Sequence, residues 1–191
     1  MDRPSVAFLK AAARRPLGVA TVFPTSSALA RRLITPLTQS PPGRVIELGA
    51  GTGAITRHLV DAAPGQVTAL EIDPELARFL RSHLGDIRVV CAPAEDMGHV
   101  VEPRTARAVV ASLPWTMLSP LTQERIFAAV HKALVPGGVF ATYLCLNAYL
   151  HPKARTFRAR LHTWFPRVEE GAIEWRNLPP AVPWFAWSAR N

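Results

Sequence analysis

VIELGAGTGAIT, residues 45–56, is the stretch from which the rest of the chain can be read. Apolar and acidic residues run out of a strand, glycines stand at 49, 51 and 53, and a helix-compatible run, AITRHLVDAA, follows at once. Glycine is needed where the chain takes positive φ or lets a ligand approach the backbone, and a helix start offers free N–H groups to polar ligand atoms. The pattern predicts a cofactor turn. GAGTGA satisfies both G-x-G-x-G and the dinucleotide fingerprint ending in Gly or Ala, so the spacing alone leaves the cofactor open. Two carboxylates narrow the choice: Glu47 stands two positions before the first glycine, and Glu71 ends the next predicted strand, 18 residues after Gly53. A carboxylate at that place accepts both ribose hydroxyls of an adenosine cofactor.

Around the turn, strands and helices alternate. RVIELG, QVTALEI, IRVVCA, ARAVVASL and VFATYLCL read as strands, and residues 54–62, PELARFLRSHL and TQERIFAAVHKAL read as helices. Such alternation predicts an α/β fold with right-handed crossovers and a mostly parallel sheet. Upstream, residues 5–15 and 26–34 read as helices separated by Pro16, Gly18 and Pro24, with Thr25 and Ser26 as cap candidates. Downstream, a short helix around TFRARLHTWF leads to VEEGAIEWR and AVPWFAWSA, which NLPP joins as a terminal antiparallel hairpin. The expected organisation is N-terminal helices over residues 1–36 and a single α/β domain over residues 43–191.

Composition excludes several classes. With 191 residues, 49% of them hydrophobic and 19% charged, the chain is globular and large enough to bury one core without disulfides. Its longest apolar run, residues 137–150, is too short to span a bilayer. Lys10, Arg14 and Arg15 interrupt any signal-peptide core, so a cytoplasmic location is expected, or a peripheral one at the inner face of the membrane. Cys91 and Cys145 lie in apolar strand-like runs and are expected to be buried free thiols. The six histidines show no metal-ligand spacing, and no metal is expected. A formal charge of +8 points to an anionic partner or surface, nucleic acid and anionic lipid both qualifying.

In order and spacing, VIELGAGTG, LEIDPELARFL, VVASLPW and LVPGGVF resemble a class I S-adenosylmethionine-dependent methyltransferase, over about residues 43–147. The resemblance implies a Rossmann-like seven-stranded sheet, and the terminal hairpin is the family's usual ending. It also implies cofactor contacts at Glu47, Gly49, Ala50, Gly51 and Gly53 for the methionine part and at Glu71 and Ile72 for the ribose. The segment after the third strand, with Ala94 and Glu95, then lines the adenine. Pro93 stands where many relatives carry an aspartate for the adenine amino group. Thr25, Ser26 and Ser112 complete the expected cofactor set.

SLPW, residues 112–115, resembles the (Asn/Asp/Ser)-Pro-Pro-(aromatic) loop of amino methyltransferases and the Asn-Leu-Pro-Tyr of rRNA adenine dimethyltransferases. A proline-stiffened backbone at Ser112 and Leu113 aims carbonyls at an amine, and the face of Trp115 favours the cation that forms during methyl transfer. The flanks, FLKAAARRPLGVATVFPTSSALARRL and WRNLPPA, resemble bacterial phospholipid N-methyltransferases, which methylate phosphatidylethanolamine. That implies an in-line transfer to a lipid amine, an anionic membrane surface and a phospholipid as partners, and Asn177 against the head group. Residues 5–15, with Phe8 and Leu9 beside Lys10, are expected either to lie on the membrane or to lid the site, and Trp164, Trp175, Trp184 and Trp187 are interfacial anchor candidates. Thr142-Tyr143 stands earlier in the fifth strand than in relatives, which puts the substrate in question. A soluble small-molecule methyltransferase and an RNA adenine methyltransferase are the alternatives. RNA is the weaker one because no helical recognition domain follows the hairpin.

Overall fold

β1 (Arg44–Leu48) is buried from Val45 onward and hydrogen-bonds to a parallel strand on each side, β2 (Val67–Glu71) and β4 (Ala106–Ala111). Both faces of such a strand must be apolar, which is why these segments read as near-continuous hydrophobic runs. The computed structural model describes residues 24–85 and 87–190. Its seven-stranded sheet adds β3 (Arg88–Cys91), β5 (Leu134–Cys145), β6 (Arg167–Glu170) and β7 (Ala181–Trp187), in the order β3-β2-β1-β4-β5-β7-β6. β3, β2, β1, β4 and β5 are parallel, and β7 runs antiparallel to both β5 and β6. The mixed sheet and its antiparallel end are those expected from the sequence.

Six α-helices complete the described fold: α1 (Ser27–Ile34), α2 (Thr56–Ala62), α3 (Pro74–His83), α4 (Pro120–Ala133), the short α5 (Leu146–Tyr149) and α6 (Pro152–Trp164). Side chains at Ser26, Asp73, Ser119 and His151 accept backbone N–H groups at the starts of α1, α3, α4 and α6, and proline opens the last three. Strand alternation divides the core between the two faces. Val45, Ala108, Val110, Val139, Ala141 and Tyr143 meet Leu29, Leu33 and Leu59 from α1 and α2. Ile46, Val109, Ala111 and Phe140 meet Ile126, Phe127, Phe157 and Leu161 from α4 and α6.

Three expectations are corrected. The helix after the glycine turn starts at Thr56 rather than 54, because residues 51–55 still belong to the turn. VEEGAIEWR is not one strand. Gly171 donates its N–H to the Pro183 carbonyl at 2.8 Å, but Pro183 has no N–H to return. Pairing therefore lapses after Glu170 opposite Trp184 and resumes only as a single bridge between Glu174 and Ala181. Cys91 is exposed rather than buried, since β3 is an edge strand, while Cys145 is half-buried and both thiols are free. The predicted helix over residues 5–15 lies outside the described residues.

Phe127 sits at the centre of the α4 and α6 side, stacked on Trp115 and edge-on to Phe140. Phe127→Ala is expected to lower the unfolding free energy by about 3–5 kcal/mol in urea titration, without losing the fold.

Candidate active site

The sheet reverses direction of growth at β1 and β4, and ligands of open α/β sheets bind beyond the carboxyl ends of the strands at such a switch point. Register places Leu48 opposite both Leu70 and Ala111, so Gly49, Glu71 and Ser112 emerge at one level. Gly49, Gly51 and Gly53 all have positive φ. A Cβ on Gly49 would lie 2.9 Å from the Ser112 carbonyl oxygen, and one on Gly53 would lie 2.5 Å from Leu84. A Cβ on Gly51 would meet no atom of the described residues within 4 Å, so this glycine keeps a space open in front of the backbone.

Two carboxylates frame that opening. Glu71 is buried and bridges the turn, its Oε2 accepting the Gly51 N–H at 2.7 Å and its Oε1 the Asp73 N–H at 2.9 Å. Burial pushes its pKa up, and the two N–H donors work against that shift. Glu47 is fully buried and neither of its oxygens has a hydrogen-bond partner among the described residues. Its pKa is pushed up to about 8, chiefly by burial. The Thr56 hydroxyl stands close enough to lower it somewhat without meeting hydrogen-bond geometry, and the Glu71 carboxylate raises it. An orphaned carboxylate costs stability unless something cationic or hydrogen-bonding reaches it.

Beside the turn, hydroxyls gather on the α1 side of the sheet. The Tyr143 hydroxyl lies 2.9 Å from Ser112 Oγ and 3.1 Å from Thr25 Oγ1. Thr142 is level with Ala111, the last residue of β4, so Tyr143 is level with Ser112. The early position of Thr142-Tyr143 thus proves to be the crevice position, and β5 simply runs on past it to Cys145. Tyr143 was not among the residues expected at the site; the signal that finds it is this register, which requires knowing where β4 ends.

Two expected substrate contacts are corrected. Trp115 presents no face to the crevice: it is 1% exposed, stacked on Phe127 and packed against Phe140 and Phe157, and donates Nε1–H to Thr142 Oγ1 at 2.7 Å. The turn after Leu113 carries its side chain to the opposite side of the sheet from the hydroxyls. Asn177 is also buried, and both ends of its carboxamide are used: Oδ1 accepts the Ser26 N–H at 2.9 Å and Nδ2 donates to the Pro179 carbonyl at 2.7 Å. It fastens the start of α1 to the turn before β7 rather than reaching a head group. Ser26 Oγ is committed to the Leu29 N–H. The Leu113 and Pro114 carbonyls accept N–H groups within their own loop, leaving the Ser112 carbonyl as the one that adjoins the glycine turn. Ala50 packs its methyl group toward Leu80, so only its backbone faces the turn. Ile72 is exposed beyond Glu71, and Ala94 and Glu95 follow the end of β3, where the Ala92 N–H bonds the Glu71 carbonyl.

Residues 45–138 match the methyltransferase domain family. The chain is 30% identical over 175 residues to the ornithine lipid N-methyltransferase of Singulisphaera acidiphila, covering 87% of each protein. It is 33% identical over 102 residues to ribosomal RNA small subunit methyltransferase A of Cupriavidus metallidurans, which covers 52% of this chain and 36% of that enzyme. Among solved structures, the S-adenosylmethionine-dependent O-methyltransferase of Thermotoga maritima superposes with a TM-score of 0.64 at 18% identity, covering 86% of this chain and 66% of that one. The chain belongs to the S-adenosylmethionine-dependent methyltransferases.

The residues of this methyltransferase fit that cofactor: an open backbone cradle at Gly51, an acidic bridge at Glu71 and an orphaned carboxylate at Glu47. No group of three or more His, Cys, Asp or Glu side chains is placed to share a metal ion among the described residues. A groove of about 350 Å³ lined by Arg32, Pro36, Arg167, Phe185 and Trp187 lies on β6 and β7, separated from the glycine turn by β4 and β5.

Glu47 gives the ligand-free methyltransferase a defined pH dependence. Between its ordinary value of 4.5 and about 8 the folded state holds a proton that the unfolded state has released. Stability therefore falls as pH rises through this window. Glu47→Gln removes the penalty, so the variant is expected to be more stable than wild type by roughly 3 kcal/mol at pH 7, with the difference vanishing near pH 4. Thermal unfolding across pH, without cofactor, measures this. Trp115→Phe is expected to lose about 1 kcal/mol of stability through the bond to Thr142 while leaving cofactor affinity within twofold, as titration calorimetry would show.

Proposed function

We propose that the protein N-methylates the amino head group of a membrane lipid. The observation that carries this reading is the extent of the likeness to a lipid N-methyltransferase: it spans 87% of both chains, whereas the likeness to the ribosomal RNA enzyme stops at about half of this one. The longer match takes in segments outside the cofactor-binding half, where acceptor specificity resides in a fold that serves many acceptors.

The bound cofactor supplies an electrophilic sulfonium methyl. Gly51 and Glu47 hold its amino-acid end, Glu71 and Ile72 the ribose, and Ala94 and Glu95 flank the adenine. Thr25, Ser112 and Tyr143 receive the amine. Three hydroxyls joined by two hydrogen bonds retain lone pairs that can accept N–H groups of an incoming amine. Burial pushes the Tyr143 pKa up, so its hydroxyl stays protonated and orients the amine rather than removing a proton from it. Holding nucleophile and methyl in line supplies much of the rate in such a transfer.

Transfer of labelled methyl groups is the test, with vesicles containing phosphatidylethanolamine, vesicles containing ornithine lipid, and RNA as separate acceptors. Label in either lipid amine supports the proposal and chooses between the head groups; label in RNA alone overturns it. Tyr143→Phe is expected to lower kcat/KM for the lipid about tenfold, the loss of one oriented hydrogen bond, with cofactor Kd within threefold. Glu47→Gln is expected to do the reverse, weakening cofactor binding at least about tenfold in calorimetry.

A further inference from the structure

Every large hydrophobic side chain that is exposed among the described residues lies at one end of the molecule. These are Ile72, Met117, Leu121, Leu150, Trp175 and Leu178. Ile72 follows β2, Met117 and Leu121 stand between β4 and the first turn of α4, and Leu150 follows α5 beyond the end of β5. Trp175 and Leu178 precede β7, whose first residue, Ala181, is paired with Cys145 at the carboxyl end of β5. All six therefore rim the end of the sheet onto which the crevice opens. The described residues of the loops at the opposite end contribute none. Scattered surface leucines need no explanation, but this restriction to one end does.

Charge divides the rim. Near β2 and β3 it carries Asp73, Glu75 and Asp96, whereas near β5 and β7 it carries Lys153, Arg155 and Arg176, with Glu170 accepting the Tyr149 hydroxyl and the buried Glu174 ion-paired to Arg176 at 3.5 Å. The two loops on the basic side are joined, since the Leu146 N–H donates to the Pro180 carbonyl at 2.7 Å. Trp175 is 67% exposed and Leu150 84% exposed, next to cations that face solvent. Of the four tryptophans expected as interfacial anchors, Trp184 is buried, Trp164 and Trp187 are half-buried, and only Trp175 projects. No helix among the described residues is long and apolar enough to cross a membrane.

We infer that Leu150, Trp175 and Leu178, with Lys153, Arg155 and Arg176 around them, form the surface by which the protein sits on an anionic lipid bilayer. This inference rests on the lipid reading above and adds the orientation: the mouth of the crevice faces the membrane. Tryptophan and leucine enter the headgroup boundary while the basic side chains meet anionic lipid, and the two contributions reinforce each other. A head-group amine then approaches Ser112 and Tyr143 without leaving the bilayer.

Flotation of the full chain with phosphatidylglycerol-rich vesicles tests it, with phosphatidylcholine vesicles and RNA as comparison arms. Wild type is expected to float with the anionic vesicles. Trp175→Ser combined with Leu178→Ser should require about tenfold more lipid for half-maximal binding, and Lys153→Gln with Arg176→Gln about threefold more, the second effect disappearing in about 0.5 M salt. Unchanged cofactor binding shows that each variant is folded. A double Ser variant that floats like wild type overturns the assignment even if lipid is methylated, as does a wild type that binds RNA and no vesicle. If the variants lose vesicle binding while no lipid is methylated, this surface stands and the lipid substrate falls.

Discussion

The central strand β1 is hydrogen-bonded on both sides, and its register with β2 and β4 fixes everything at the site. Because Leu48 is level with Leu70 and Ala111, the chain must turn at Gly49 directly beside the Ser112 carbonyl, where a side chain would collide. The same level delivers Glu71 to the Gly51 N–H and Ser112 to the Tyr143 hydroxyl. A slip of one residue would turn the shifted strand's side chains to the opposite face, Glu71 in the pairing with β2 and Ser112 in the pairing with β4. Function depends here on the packing of strands that carry no chemistry themselves.

Glu47 shows what this arrangement costs. A buried, unpartnered carboxylate opposes folding at neutral pH, and the sheet core around it must supply the difference. That core is made of the apolar layers contributed by α1 and α2 on one face and by α4 and α6 on the other. A site held ready for a charged ligand in this way is less stable without it, and ligand binding is linked to folding through that one group.

Much of this was legible in the sequence because local chemistry and tertiary context agree. The glycine turn, Glu47, Glu71 and the alternation of strands and helices each follow from residue type and spacing alone. Ser112 and Thr25 were also named, although their shared partner, Tyr143, depends on the relative ends of two strands 31 residues apart. Trp115 and Asn177 were misread for one reason: a motif gives a residue's place on a loop, not the side of the sheet to which the loop turns it. Trp115 turns into the aromatic layer beneath α4 and α6, and Asn177 turns inward to Ser26. The interruption of VEEGAIEWR was equally hidden, since its cause, Pro183, lies on the neighbouring strand.

The bond between Ser26 and Asn177 joins positions 151 residues apart, one where the described chain enters the domain and one where its last strand begins. Thr25, the neighbour of Ser26, closes on Tyr143 at the same place. Withdrawing either segment would leave the Ser26 N–H at the start of α1 without its acceptor and release Asn177 from its role between Ser26 and Pro179. The entering segment and the turn before β7 are thus two leaves of one clasp. The lip of the site is stitched together from segments that lie 151 residues apart, and of its two hydrogen bonds one holds the start of α1 in place and the other holds the hydroxyl of Tyr143.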